Sequence, residues 1–208
     1  MSAGRSNARR AFRPGDFDDA YFERHYGDEP VIDGAEVRAR AAFVLAFVDL
    51  LGLELTSALD MGCGIGLWRR ALADARPDLA YTGVEYAPAM CARYGWQQGS
   101  VENFQGPGAD LVICQGVLQY LDDGAASRAI ETLARLTGVA LYLEVLTAWD
   151  WKHACDQSAT DGDVFLRTGA WYRKRLGSAF IEAGGGVFVQ REAGAVFYEL
   201  EARGLSRR

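Results

Sequence analysis

Cysteine and histidine are scarce: the 208 residues include four cysteines and two histidines. The cysteines, Cys63, Cys91, Cys114 and Cys155, are scattered and form no C-x-x-C pair, which argues against a zinc site and against a disulfide framework. Two histidines are too few for a histidine-rich metal site, so no metal is expected. Unpaired, scattered cysteines are typical of a reducing compartment, and they predict a cytoplasmic protein.

Long apolar runs and an excess of basic charge are also missing. No run approaches the ~20 residues of a membrane-spanning helix, and no apolar stretch follows the N-terminal arginines, so neither a membrane span nor a signal peptide is expected. The net charge is −6, whereas proteins that bind duplex nucleic acid usually carry a basic surface. Nucleic acid is therefore not expected as a partner. Half of the residues are hydrophobic, which is enough for one α/β domain.

The most informative stretch is residues 57–68, an apolar strand pattern that leads into a glycine-rich turn and a helix. Gly62, Gly64 and Gly66 occupy alternate positions, and Asp60 stands two places before the first of them. Glycine allows a positive φ and lets a ligand approach the main chain where a Cβ would block it. The turn therefore predicts a ligand site, although an ordinary glycine-rich turn between a strand and a helix is the alternative.

Two common nucleotide motifs are not matched by this turn. The dinucleotide pattern G-x-G-x-x-G needs glycine where Leu67 stands, and no Gly-Lys-Ser/Thr follows as in a P-loop. The observed pattern, D-x-G-x-G-x-G, resembles motif I of the class I S-adenosylmethionine-dependent methyltransferases.

The chain around the turn alternates strand and helix patterns. Strands are predicted at 57–61, 79–85, briefly within 95–101, 110–115 and 139–146, and helices at 16–26, 34–51, 68–75, 88–94, 122–138 and 168–183. The short link between two final strand patterns, 187–190 and 195–201, predicts an antiparallel hairpin.

These elements predict an α/β fold. The expected fold is a mostly parallel seven-stranded sheet with helices on both faces and a C-terminal antiparallel hairpin, preceded by N-terminal helices. Its order is similar to the class I methyltransferase fold along nearly the whole chain from residue 34. We predict one methyltransferase domain, 1–208, with a tail and cap helices in 1–51 and the α/β core in 52–208.

Open α/β sheets bind ligands at the carboxyl ends of their strands, so the residues that follow each strand are candidates for the site. Glu85 ends the second strand, where a carboxylate can accept hydrogen bonds from both ribose hydroxyls of a nucleotide. The same acid would serve NAD, so a nicotinamide-dependent oxidoreductase is a rival that only Leu67 disfavours.

The resemblance implies S-adenosylmethionine as cofactor and S-adenosylhomocysteine as product. In the family an acid after the third strand often reaches the adenine amino group. Here Ser100 stands at that place, with Glu102 as a substitute acceptor and the Val101 amide within reach of the ring. The run from Asp110 to Leu121 also resembles the family, and it places Gln115 beside the methionine part. The full set of cofactor residues predicted in this way is Asp60, Gly62, Cys63, Gly64, Gly66, Glu85, Tyr86, Ser100, Val101, Glu102, Gln115 and Gly116.

The acceptor side is predicted from aromatic and polar residues that flank the core. Glu144 is a charge within an apolar strand, and it needs a partner or a ligand because an unpaired buried charge is costly. We predict an acceptor pocket from Tyr21, Tyr26, Glu144, Trp149 and Trp151. If the acceptor must lose a proton, a nearby histidine has a suitable pKa. The predicted base is His153, and His25 is a weaker candidate.

The resulting hypothesis is methyl transfer to a small-molecule acceptor. The Asn/Asp-Pro-Pro-Tyr/Phe tetrapeptide of enzymes that methylate amide or amino nitrogen is absent, which argues against methylation of DNA adenine or protein glutamine. A non-catalytic binding or regulatory protein of the same fold stays open, as does methylation of RNA or protein, because a fold does not specify an activity. The acceptor, the methylated atom and the oligomeric state stay undetermined.

Overall fold

Seven strands form one sheet in the order β3-β2-β1-β4-β5-β7-β6. The computed structural model of the chain describes residues 12–27, 33–158 and 160–203. The strands are β1 Ser57–Met61, β2 Ala80–Glu85, β3 Gln97–Gln98, β4 Ala109–Gln115, β5 Thr137–Glu144, β6 Phe180–Gly184 and β7 Val187–Gln190. The α-helices are α1 Asp19–Tyr26, α2 Gly34–Leu50, α3 Leu67–Ala75, α4 Pro88–Tyr94, α5 Asp123–Leu136, α6 Ala148–His153 and α7 Gly169–Leu176.

The pairing of the strands confirms the predicted fold class. β3, β2, β1, β4 and β5 pair in parallel, whereas β7 pairs antiparallel with both β5 and β6. The chain leaves β1 towards β2 on one side and later returns to β4 on the other side. The carboxyl ends of β1 and β4 are therefore the point at which the strand order reverses, which is where open α/β sheets bind ligands.

The two faces of the sheet are covered by different helices. Along β4, Leu111 and Ile113 pack with α2 and α3, whereas Val112 and Cys114 pack with α5 and α7. Successive side chains of a strand point to opposite faces, so an apolar run of this kind is what a strand buried on both faces requires. Helix α2 buries Val37, Ala41, Val44, Leu45 and Val48 in the first of these layers.

The first helix begins later than predicted. Asp18 rather than Asp16 caps α1, because its side chain accepts a hydrogen bond from the Tyr21 amide at 2.9 Å. Residues Pro14–Asp16 form a separate turn of 3-10 helix. The predicted tail lies outside the described residues up to position 11, and the division into a cap at 1–51 and a core at 52–208 stays a prediction.

The prediction for the C-terminal hairpin is wrong in its position. The predicted helix 168–183 ends at Leu176, and Phe180–Gly184 is a strand that pairs with β7. The physical reason is the run of three glycines, 184–186, which all have positive φ and form the turn of the hairpin instead of a helix end. Residues 195–201, predicted as a strand, form none.

Within the described ranges, no helix combines the length and apolar character that a membrane crossing needs.

Candidate functional site

Two adjoining cavities lie at the carboxyl ends of β1 and β4. The smaller has a volume of about 340 Å³ and extends along the ends of β2 and β3. The larger, of about 780 Å³, extends towards the end of β5 and the segment 154–164. We call them the inner cavity and the outer cavity.

The glycine turn after β1 lines both cavities. The amides of Gly62 and Cys63 donate hydrogen bonds to the carbonyl of Val84, at 2.8 and 3.1 Å, which attaches the turn to β2. Gly62 has a φ of 86°, and a Cβ there would collide with a methyl group of Val117. Gly64 has a φ of 51° and borders the inner cavity. Both positions need the positive φ that glycine adopts freely, and Gly62 also needs the close approach that a Cβ would prevent.

Glu85 at the end of β2 is the carboxylate of the inner cavity. It is 6 % exposed, and its two oxygens accept hydrogen bonds from three backbone amides: Oε2 from Gly64 at 2.8 Å, Oε1 from Tyr86 at 2.7 Å and from Ala87 at 2.9 Å. A carboxylate offers about four acceptor positions, so one remains for a ligand hydroxyl beyond these three. Glu85 therefore stabilises the glycine turn and can bind a ribose.

The far wall of the inner cavity follows β3. Ser100, Val101 and Glu102 line it, and the Glu102 amide donates to Ser100 Oγ at 3.3 Å. The Glu102 carboxylate forms an ion pair with Arg128 at 2.5 Å. Because its carboxylate is already paired, Glu102 is less available to an adenine amino group than Ser100.

A cluster of aromatic rings closes the inner cavity from the N-terminal side. Phe17 lies edge-on to Tyr21 and to Tyr120, with ring centroids 5.1 and 5.2 Å apart. The Tyr21 and Tyr120 hydroxyls form a hydrogen bond of 2.8 Å. Burial raises the pKa of both tyrosines, that of Tyr120 to about 12, so both stay neutral and the bond persists across the physiological pH range. The bond joins α1 to the 3-10 turn Leu118–Tyr120 that follows β4.

Asp60 near the end of β1 is almost fully buried. It borders the outer cavity, and Tyr81 donates a hydrogen bond to it at 2.6 Å. Burial raises the pKa of its carboxyl group to about 7, while the bond from Tyr81 acts in the opposite direction and the charge of Glu85 adds to the rise. Asp60 therefore titrates near neutrality in the folded protein.

Glu144 has the partners that its place in an apolar strand demands. It accepts hydrogen bonds from Arg40 at 3.0 Å, from Tyr142 at 2.9 Å and from the Gln115 amide nitrogen at 3.1 Å. Gln115 in turn accepts from the Trp68 indole at 2.6 Å. This network holds the Gln115 side chain in one orientation where the two cavities meet.

The structure brings most of the predicted residues together at the two cavities, and four of them line neither cavity. The inner cavity is lined by Gly64, Glu85, Tyr86, Ser100, Val101 and Glu102, the outer cavity by Asp60, Cys63 and Glu144, and both by Tyr21, Tyr26, Gly62, Gln115 and Gly116. Gly66 lines neither cavity, and it precedes α3 with a φ of 77°.

Trp149, Trp151 and His153 do not line either cavity among the described residues. They lie on α6, where Trp149 is 63 % exposed and the His153 ring is exposed and stacks on it. His153 Nδ1 lies 2.9 Å from the Trp149 carbonyl. Their predicted pocket and catalytic roles therefore have no support from their position, because α6 exposes Trp149 and His153, and the half-buried Trp151 ring lies beside Gly162 instead of lining the outer cavity.

Several residues at the site are missing from the sequence-based set. They are Phe12, Phe17, Phe22, Arg40, Trp68, Val117, Gln119, Tyr120 and Asp161. The aromatic spacing of the first helix and the polar residues after β4 were signals for some of them. No local pattern marks Arg40, Trp68 or Asp161, which reach the site only through packing.

Comparison with known families matches residues 59–138 to a model described as a methyltransferase domain. The matched segment includes the glycine turn, Glu85 and the end of β4. Sequence comparison with curated proteins gives no significant match.

Solved structures of methyltransferases share the fold over most of the chain. Magnesium protoporphyrin IX methyltransferase from Synechocystis PCC 6803, with bound SAM, is 20 % identical with a TM-score of 0.56, over 85 % of this chain and 91 % of that one. The sugar N-methyltransferase from Streptoalloteichus sp ATCC 53650 is 19 % identical with a TM-score of 0.61, over 83 % of this chain and 92 % of that one.

The glycine turn and the buried carboxylate of Glu85 fit a nucleoside cofactor, since a Cβ at Gly64 would fill part of the space and Glu85 still has a free acceptor position. Residues 59–138 thus match a methyltransferase domain, and the chain shares the fold of class I methyltransferases, some of which were crystallised with SAM or SAH.

Proposed function

We propose that this protein transfers a methyl group from S-adenosylmethionine in the inner cavity to a small molecule in the outer cavity. The observation that carries the proposal is that the two cavities meet at a shared wall. Both are lined by Tyr21, Tyr26, Gly62, Gln115, Gly116 and Tyr120.

The residues of the chain would act mainly by binding and orientation. Glu85 would accept a ribose hydroxyl, the glycine turn would lie against the cofactor, and Ser100 with the Val101 amide would face the adenine. The bound cofactor supplies a methyl group that is already activated on a sulfonium, so the protein needs to align donor and acceptor rather than activate the donor. The aromatic cluster around Tyr21 would exclude water from the reacting groups.

The size and charge of the outer cavity support a small-molecule acceptor. Its volume of about 780 Å³ falls within the roughly 300–1,000 Å³ typical of small-molecule sites. The net charge of −6 supports neither RNA nor DNA as the acceptor. The methyltransferases with the same fold include one described as acting on a porphyrin and one on a sugar.

Calorimetry and turnover together test the proposal. S-adenosylmethionine and S-adenosylhomocysteine should bind to the protein, whereas NADH should not. Release of S-adenosylhomocysteine is then measured with panels of metabolites, peptides and RNA. Binding of NADH alone would refute the cofactor assignment, and turnover only with peptides or RNA would refute the small-molecule acceptor. Cofactor binding without turnover on any panel would favour a non-catalytic binding protein.

We also propose a cytoplasmic location. The support is that all four cysteines are free thiols, two of them buried, as expected in a reducing compartment. Fractionation of the source cells tests it.

A further inference from the structure

One buried guanidinium contacts the segments that form the two cavities without lining either of them. Arg167 is 6 % exposed and, among the described residues, belongs to the lining of neither cavity. We infer that Arg167 is a positioning residue: it fixes the 3-10 turn Leu118–Tyr120, and with it the Tyr120 hydroxyl, at the wall that the two cavities share. The inference rests on the proposed function and assigns the residue that holds this wall in place.

The side chain of Arg167 binds the turn at both of its ends. Nη1 donates a hydrogen bond to the Leu118 carbonyl at 3.2 Å, and Nη2 donates to the carbonyl of Leu121, the residue after the turn. The guanidinium is planar and carries its donors on three nitrogens in a fixed arrangement, whereas lysine carries its three donors on one nitrogen. Lysine therefore does not reproduce this pair of contacts.

Three further groups hold the guanidinium itself in one orientation. Nε donates to Asp123 Oδ1 at 2.7 Å, and Nη1 donates to the Tyr172 hydroxyl at 3.1 Å. The Trp171 ring faces the guanidinium, with its centroid 4.9 Å from Cζ. A buried charge is costly unless it is paired and hydrogen-bonded, and the contacts of this side chain use all three of its nitrogens. The turn is therefore bound to a group that is itself fixed.

The backbone around Arg167 connects the same turn to the end of β5. The Phe165 amide donates to the Gln119 carbonyl at 2.7 Å, and the Ala148 amide donates to the Arg167 carbonyl at 2.8 Å. Arg167 also forms a parallel bridge with Thr147. Because β4 leads into the turn and β5 leads into Thr147, Arg167 joins the two segments that follow these neighbouring strands.

The position of the turn determines the position of Tyr120. The Tyr120 hydroxyl forms a hydrogen bond of 2.8 Å with that of Tyr21, and both residues line both cavities. A shift of the turn would break this bond and open the aromatic cluster that closes the inner cavity. Arg167 should therefore affect cofactor binding through Tyr120, although it lies outside both cavities.

A double-mutant cycle separates this positioning role from a general effect on stability. Calorimetry of S-adenosylhomocysteine binding and thermal unfolding are measured for the wild-type protein, Arg167→Lys, Tyr120→Phe and the double variant. We expect Arg167→Lys to weaken binding by about fivefold, because it loses the bond between the two tyrosines. In the Tyr120→Phe background, where that bond is already absent, Arg167→Lys should weaken binding no further.

Two results of the cycle would overturn the inference. They are a wild-type affinity in Arg167→Lys, and losses of affinity that multiply in the double variant, since a merely structural effect would not depend on the Tyr120 hydroxyl. A wild-type protein that does not bind S-adenosylhomocysteine would instead refute the proposed function.

Arg175 provides a matched control on the other side of the same tryptophan. Its Cζ lies 3.5 Å from the centroid of the Trp171 ring, and it donates hydrogen bonds to Ser127 and to the Trp171 carbonyl. Among the described residues, none of its hydrogen bonds reaches the turn. Arg175→Lys should therefore leave the affinity for S-adenosylhomocysteine unchanged, even if it lowers the melting temperature. The same loss of affinity in Arg175→Lys as in Arg167→Lys would overturn the inference.

Asp123→Ala tests the same argument if Arg167→Lys does not fold. The Asp123 side chain is 75 % exposed, so its removal should leave the fold intact while it takes away the acceptor of Arg167 Nε. Asp123→Ala should weaken S-adenosylhomocysteine binding by about threefold and have no effect in the Tyr120→Phe background. In that case, wild-type affinity in Asp123→Ala, or the same loss in both backgrounds, would overturn the inference.

Discussion

The carboxylate of Glu85 is expected to have two separable roles, and one substitution can distinguish them. Glu85→Gln keeps the size of the side chain and one oxygen, which can still accept from the Tyr86 and Ala87 amides. Its new NH₂ group would then face the Gly64 amide, 2.8 Å from the present Oε2. Two donors cannot satisfy each other, so the Gly64 amide loses its acceptor.

The size of the effect follows from these contacts. A buried amide without a partner costs about 1–3 kcal/mol, which should lower the free energy of unfolding by that amount. Hydrogen bonds to charged groups contribute roughly 1.5–3 kcal/mol each, so loss of the charge at the ribose alone should weaken S-adenosylhomocysteine binding by at least about tenfold. Glu85→Ala should be less stable still, since it leaves three backbone amides without their acceptor.

Calorimetry of S-adenosylhomocysteine binding and thermal unfolding are measured on the same preparations. Glu54→Gln is the matched control, because Glu54 is an exposed acid in the loop before β1, at the opposite end of the sheet. It should leave both quantities unchanged. A Glu85→Gln protein with wild-type affinity would refute the role in ribose binding, whatever its stability.

Three further predictions concern neighbouring residues. Gly64→Val should abolish S-adenosylhomocysteine binding, measured by calorimetry. Gly52→Val carries the same positive-φ strain in open space away from the site and should retain this binding. Equal binding by both variants would contradict the role of the glycine turn in cofactor binding. Asp60 has a pKa of about 7 when folded and near 3.9 when unfolded, so stability should fall, by on the order of 4 kcal/mol, as pH rises from about 4 to 7. Asp60→Asn should reduce the decrease in melting temperature between about pH 4 and 7. The same pH dependence of the melting temperature in the variant and the wild-type protein would refute this role of Asp60. Tyr21→Phe should weaken S-adenosylhomocysteine binding by about fivefold, and adding Tyr120→Phe should cost little more; additive losses would show that the two hydroxyls act separately.

Much of the fold could be predicted from local pattern. The apolar run of β4, the glycine turn after β1 and the caps of the long helices act on their own neighbours, so they are visible in a single sequence. The C-terminal hairpin was misplaced because Phe180–Gly184 has an apolar pattern that suits a helix or a strand, and only pairing with β7 decides between them.

The structure brings together the residues predicted for the cofactor better than those predicted for the acceptor. Residues such as Gly64 and Glu85 follow strands whose ends must meet at one edge of a parallel sheet, so their proximity follows from the fold class. The pocket roles of Trp149 and Trp151 and the catalytic role of His153 were inferred from residue type and from their place after the fifth strand. The structure places these side chains on an exposed helix, so those roles stay predictions without support from their position.

The amino-acid sequence by itself determined the α/β fold, the glycine turn after β1 and the acid at the end of β2, because glycine, apolar runs and strand ends act through local backbone geometry. Only the tertiary structure decided which side chains face the acceptor. His25, Gln119 and Asp161 come from three separate segments, and they line one cavity only because packing brings those segments together.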